Sequence, residues 1–126
     1  LALGLVPGGV CEGLAFKVAD AEQSEMLKTL WEREVWTDVY VPNWVSIVCG
    51  KQTYTAITFT TNTESSQFAG GLSVKHVVDH VVQARGRMGT CWEYLFSTMD
   101  KLQALGINEP DLQNVSELAR AQLDRR

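Results

Sequence analysis

The polar run Thr61 to Gly71 (TNTESSQFAGG) divides the chain into a part patterned for strands and a part patterned for helices, which constrains the fold more than any other feature. Its Ser, Thr, Asn and Gly content predicts a surface loop and the most mobile stretch of the chain. Before it, along Val41 to Cys49, Val45, Ile47 and Cys49 alternate with Trp44, Ser46 and Val48, the period that a strand imposes. Gly50-Lys51 can reverse the chain into Tyr54 to Thr60, so a hairpin is predicted. After the loop, Ser73 to about Ala84, Thr90 to Leu105 and Asn108 to about Leu123 read as helices. The middle one carries Thr90 and Glu93 as a capping box and Gly106 as its stop.

Further upstream, Leu1 to Val6 reads as an apolar strand leading into a Pro7-Gly8-Gly9 turn. Val10 to Val18 follows in strand register, with Val10, Leu14, Phe16 and Val18 on one side and the small Gly13 and Ala15 opposite. Asp20 and Gln23 mark the start of a helix that runs to about Val35. The order is strands, one helix, strands, then helices, with no internal repeat and no dividing linker. The predicted architecture is a single α+β domain, a sheet or partial β-barrel packed against a helical layer, with neighbouring strands antiparallel.

A chain of 126 residues holds one such domain and not two. The formal charge is -4, and the basic residues are scattered apart from Arg125 and Arg126, so no positive stripe is available to a nucleic acid. No apolar run approaches the roughly 20 residues that span a bilayer, and the opening LALGLVPGG lacks the basic flank of a signal peptide. A cytoplasmic protein with no membrane contact is expected. Cys11, Cys49 and Cys91 are odd in number, far apart and set in apolar stretches, which points to reduced core thiols and not to disulfides or zinc.

Within the first helix, steps of about 100° per residue gather Leu27, Leu30 and Trp31 into a narrow apolar arc, and Glu34 falls inside it. A carboxylate on a core-facing stripe needs a partner, a proton or a chemical task. Periodicity leaves two readings open: a reactive carboxylate, or a helix end where Glu34 turns outward or pairs with a neighbouring Arg.

Three segments bear on that choice by their likeness to a known family. LWEREVWTDVYVPNWV, from Leu30 to Val45, resembles the ChaC branch of the γ-glutamylcyclotransferases, in which an Arg-Glu pair ends a helix ahead of a Tyr and a Pro-bearing strand. GLVPGGVCEGLAFKV resembles that family's strand-turn-strand, and ARGRMGTCWEYLFSTMDKLQALGI its glycine-punctuated approach to an EYLF helix. The resemblance covers nearly the whole chain, in the family's order. It implies a γ-glutamylcyclotransferase-like domain over residues 1–126, equivalent to the carboxy-terminal two thirds of the family's fold.

The activity so implied is glutathione cleavage. The γ-glutamyl amine attacks its own γ-carbonyl, giving 5-oxoproline and cysteinylglycine without a metal or organic cofactor. Glu34 matches the family's catalytic glutamate and would move the protons. Tyr40 and Tyr94 match family tyrosines that line the pocket or bind the substrate carboxylate; a buried tyrosine with a satisfied hydroxyl is the competing reading. Arg33 points away from Glu34 by helical geometry and stands outside the site. The family's Tyr-Gly-Ser-Leu loop is missing from this sequence, which opens on Leu1 and not on Met, so an amino-terminally incomplete domain is expected.

Other signals are weaker. His76 and His80 have the spacing of a metal clamp, but they flank a valine stripe without a third ligand, so no metal site is expected. Trp31, Trp36, Trp44 and Trp92 read as core and pocket wall. Two alternatives stay open beside glutathione cleavage. One is the same chemistry on another γ-glutamyl compound. The other is a non-catalytic interaction module, self-associating through the sheet edge that an absent first strand would leave.

Overall fold

The computed structural model describes residues 1–34 and 38–126, and the expected end of the first helix at Val35, together with Trp36, lies outside them. The architecture is α+β, and the chain divides into two compact units, Leu3–Phe68 and Leu1–Ala2 with Ala69–Arg126.

Helix α1 of the first unit, Gln23–Glu34, is preceded by a 3-10 turn, Asp20–Glu22. Gln23 reaches back to the Asp20 carboxylate, its Nε2 donating to Oδ1 at 3.1 Å. The predicted hairpin follows. Strand β1, Tyr40–Cys49, pairs antiparallel with β2, Gln52–Thr61, in a register that sets Trp44 against Ile57 and Pro42 against Phe59. The ladder runs a little beyond the predicted bounds at both ends, closing on the Tyr40–Thr61 pair at one and, across the turn at Gly50, on the Cys49–Gln52 pair at the other.

The opening residues depart from expectation. Of the apolar stretch 1–6, only Leu5 joins the sheet, as an isolated parallel bridge to Thr60, with the Thr61 N–H donating to the Leu5 carbonyl at 2.8 Å. Gly4 makes that approach possible: a Cβ there would lie 2.0 Å from Thr61 Oγ1. Residues 10–18 form no strand, and Val10 and Phe16 are 98% and 84% exposed. Alternation decides which side chains share a side, but a strand also needs a neighbouring backbone about 4.8 Å away, and no described residue supplies one.

Burial corrects other readings. Cys11 and Cys49 are exposed thiols, and of the cysteines only Cys91 packs beside a core. Trp31 and Trp44 are 48% and 66% exposed, so neither is a core residue, whereas Trp92 packs against Phe96 with ring centroids 5.8 Å apart. Trp44 sits in the hairpin of the first unit and Trp92 in a helix of the second.

Helices α2, Val74–Gln83, α3, Cys91–Ala104, and α4, Pro110–Asp124, build the second unit. Ser73 caps α2 by accepting from the His76 N–H at 3.2 Å. Thr90 and Glu93 form the predicted capping box of α3, and Gly106, at φ +72°, ends that helix in the left-handed conformation that costs glycine least. A short pair not anticipated from the sequence, β3 (Arg85–Gly86) with β4 (Gly89–Thr90), links α2 to α3.

The core of this unit is Val78, Val81, Val82, Leu95 and Ala119. The three valines come from the stripe that His76 and His80 flank, so the amphipathic pattern of α2 faces α3 and α4 as its spacing requires. Asp79 ties α2 to α4, accepting from Lys75 at 2.8 Å and from Gln122 at 3.2 Å, and the Lys75 ammonium followed by the Gln122 amide holds its carboxyl below the usual range. Arg120 lies 4.2 Å from the Phe96 ring centroid, a cation–π contact from α4 to α3.

Candidate active site

Glu34 is the last residue of α1. Leu27, Leu30 and Glu34 are all half-buried, so the stripe read from helical spacing exists and includes the carboxylate, while Trp31 leaves it. Its side chain is 28% exposed, against 71% for Arg33.

The guanidinium of Arg33 does not point away as expected. Its Nη2 lies 3.9 Å from Glu34 Oε1. Adjacent helical residues diverge by about 100°, but a long arginine in the last turn can bend back across that angle. The pair is loose and mostly hydrated, so it contributes little to stability and leaves the carboxylate available.

Tyr40 opens β1, and its hydroxyl donates to the Leu3 carbonyl at 2.9 Å. The ring also packs over Gly4, its Cε1 lying 3.7 Å from where a Cβ would stand. Tyr40 thus joins the opening residues to the hairpin. Tyr94 is in α3, in the second unit, and is 47% exposed. Glu34 and Tyr40 share the first unit; Tyr94 belongs to the other.

Between Glu34 and Tyr40 stands a residue that sequence reasoning passed over. Asp38 has φ +63°, a left-handed backbone that costs an L-residue about 1 kcal/mol or more. Asn62, just beyond β2, holds it there: Nδ2 donates to the Asp38 carbonyl and to its carboxylate, each at 2.9 Å. The Asn62 N–H donates to the Val39 carbonyl at 2.8 Å, and its side-chain oxygen accepts from the Glu64 N–H at 3.1 Å. An Asp before one strand and an Asn after its partner are the residue types that tolerate this conformation and bond locally to backbone, which was the available signal.

Two cavities lie in the second unit. One of about 330 Å³ is bounded by Met99, Gln103, Ile107 and Asn108, and one of about 260 Å³ by Lys75, Asp79, Leu118 and Gln122. Neither is lined by Glu34, Tyr40 or Tyr94. Among the described residues, no group of three His, Cys, Asp or Glu side chains is placed to hold a metal ion, and no helix is long and apolar enough to cross a membrane. His76 instead closes a local contact, its Nδ1 lying 3.1 Å from Ser73 Oγ.

Residues 1–122 match the ChaC-like proteins, and the chain belongs to that family. It is similar to the glutathione-specific gamma-glutamylcyclotransferase of Escherichia coli strain K12, with 27% identity over 114 residues, which make up 90% of this chain and 49% of the relative. The chain therefore spans about half the length of that curated relative.

Proposed function

We infer that the protein carrying this chain degrades glutathione, cyclising the γ-glutamyl group to 5-oxoproline and releasing cysteinylglycine. Membership of the ChaC-like family supports the reaction class, and the observation that carries the assignment within this chain is Glu34, half-buried on the Leu27–Leu30 stripe. The relative's specificity for glutathione supports the choice of substrate.

The chemistry asks for few protein groups. The α-amine of the γ-glutamyl moiety forms a C–N bond to its own γ-carbonyl, and the bond to the cysteinyl nitrogen breaks. Glu34 takes the proton that the attacking nitrogen gives up and returns one to the leaving nitrogen, so charge and protons balance without a redox partner. Folding the substrate into attack geometry accounts for much of the acceleration, since nucleophile and electrophile belong to one molecule. No cofactor is needed, because the substrate supplies its own nucleophile. We assign Tyr94 a substrate-binding role through its exposed position, and Tyr40 a wall position, its hydroxyl already being engaged by Leu3. The free thiols of Cys11, Cys49 and Cys91 fit a cytoplasmic setting.

The full natural polypeptide, given glutathione, should release 5-oxoproline and cysteinylglycine in equal amounts. Competition with other γ-glutamyl amines and dipeptides tests the substrate: a faster reaction with one of them would replace glutathione in this assignment, and no cyclisation of any would reject it.

A second reading, self-association through residues 10–16, is favoured by the exposure of Val10, Leu14 and Phe16 at 98%, 64% and 84%. Light scattering decides it, since a monomer at every concentration rules it out.

A further inference from the structure

We propose that Arg85, Arg87 and Tyr94 form a subsite for the glycine carboxylate of glutathione, which selects the tripeptide over γ-glutamyl compounds that end without a carboxylate; this rests on the reading of glutathione as the substrate. The carboxylate of the γ-glutamyl group is common to every γ-glutamyl compound. The glycine carboxylate is therefore the charge that a selective protein has to read.

The chain is acidic, with a formal charge of -4, yet residues 85–94 (RGRMGTCWEY) hold two arginines against one glutamate. That glutamate is already engaged, since Glu93 Oε2 accepts from the Thr90 N–H at 3.1 Å and from the Thr90 hydroxyl at 2.6 Å. Among the described residues, Arg85 and Arg87 form no ion pair and the Tyr94 hydroxyl makes no hydrogen bond, and all three residues are exposed. Two guanidinium forks and a phenol are donors that match a carboxylate, which accepts on both of its oxygens.

The fold brings the three within reach of one ligand group. Arg85 pairs across the β3–β4 ribbon with Thr90, a step of about 5 Å, and Tyr94 stands about 6 Å further along α3. Arg87 lies in the reversal between Gly86 and Gly89. The ribbon is fixed to the helix: the Cys91 N–H donates to the Ala84 carbonyl at 3.0 Å, and a Cβ on Gly89 would lie 3.2 Å from Glu93 Oε2. The Glu93 carboxyl is held below its usual range by the Thr90 hydroxyl, then by the Thr90 N–H and, more weakly, by Arg85, which sets that guanidinium near the first turn of α3. Met88, at the tip of the ribbon, is 98% exposed. An exposed ribbon suits the unreactive glycine end of the substrate, because the reacting γ-glutamyl end has to be enclosed away from water.

The test uses the full natural polypeptide and two compounds, glutathione and the analogue whose glycine carboxylate is an amide. KM should be about tenfold lower for glutathione, with kcat alike for both. Arg85→Ala/Arg87→Ala should raise KM for glutathione about tenfold and for the amide by no more than about twofold, and Tyr94→Phe should raise it for glutathione about threefold. Arg85→Lys/Arg87→Lys should recover part of the preference, because the charge is kept and the fork is lost. Equal KM for acid and amide in the natural protein overturns the subsite, as does an equal rise for both in the alanine variant.

Calorimetric titration of the same two compounds separates the subsite from the reaction. If neither is cyclised but glutathione binds about tenfold more tightly than its amide, and the alanine variant loses that difference, the cyclotransferase reading fails and the subsite stands. If both are cyclised with no difference in KM or in binding, the subsite fails and the reaction stands.

Discussion

The Tyr40 hydroxyl donates to the carbonyl of Leu3 at 2.9 Å, so a tyrosine that family resemblance assigns to the substrate is engaged by the chain's own opening residues. Tyr40→Phe should then cost about 0.5–1.5 kcal/mol in chemical denaturation, the usual net worth of one hydrogen bond. Its KM for glutathione should stay within about twofold, since a hydroxyl bonded to backbone adds little binding energy. A tenfold KM increase without loss of stability would return Tyr40 to the substrate.

Gly4→Ala addresses the same junction from the other side. The added methyl would stand 2.0 Å from Thr61 Oγ1, so residues 3–5 must move off the edge of β2. We expect loss of protection at the Thr61 amide, now bonded to Leu5, and faster proteolysis of the first residues. The double variant Gly4→Ala/Thr61→Ala should recover part of the loss, because the nearest clashing atom is gone.

Glu34→Gln tests the proposed proton-carrying role while keeping size and shape. Turnover of glutathione should fall by about a hundredfold or more, in line with general acid–base catalysis, with the melting temperature unchanged to within a few degrees. Arg33→Ala should leave kcat within about threefold, because its guanidinium is exposed and 3.9 Å away.

The helical unit should show a defined acid limit. Asp79 is held below its ordinary value by Lys75 and then Gln122, and Glu93 by the hydroxyl and then the backbone N–H of Thr90. A carboxyl whose folded value is lowered binds fewer protons in the native state than in the unfolded chain. Its contribution is therefore present above the unfolded value, near pH 4, and disappears as pH falls through the lower folded value. Stability should decline below about pH 4, and Asp79→Asn with Glu93→Gln should flatten that decline in melts taken across the acid range. An equally steep acid loss in the double variant would assign the dependence to other groups.

Thr90→Ala should cost about 1 kcal/mol in the melting of this unit, since the Thr90 side chain both accepts from the Glu93 N–H and donates to its carboxylate at 2.6 Å. Val82→Ala, which empties a position only 4% exposed, should cost more, about 2 kcal/mol.

What the sequence disclosed follows the range of the forces involved. The starts of α2 and α3 and the stop at Gly106 were legible because Ser73, Thr90, Glu93 and Gly106 act on backbone groups within one turn of themselves. The hairpin was legible because alternation and a two-residue reversal fix a register locally. Glu34 was found on its stripe for the same reason, helical periodicity being a short-range rule. Burial of Trp31, Trp44, Cys11 and Cys49 was misjudged because an apolar side chain is covered only if distant parts of the chain come to it. Tyr40 bonding Leu3, 37 residues away, and Asn62 bonding Asp38, 24 residues away, leave no periodic trace. The strand pattern of residues 10–18 carried information about side chains and none about a partner backbone.

Ala119 has no exposed surface at all, at the place where α4 meets the valines of α2. A single methyl group sets how near those two rods can come, so drift in this helix is channelled toward its outward positions. A randomised library at that codon would return alanine with glycine or serine, and relatives that diverge widely elsewhere should keep a small residue there.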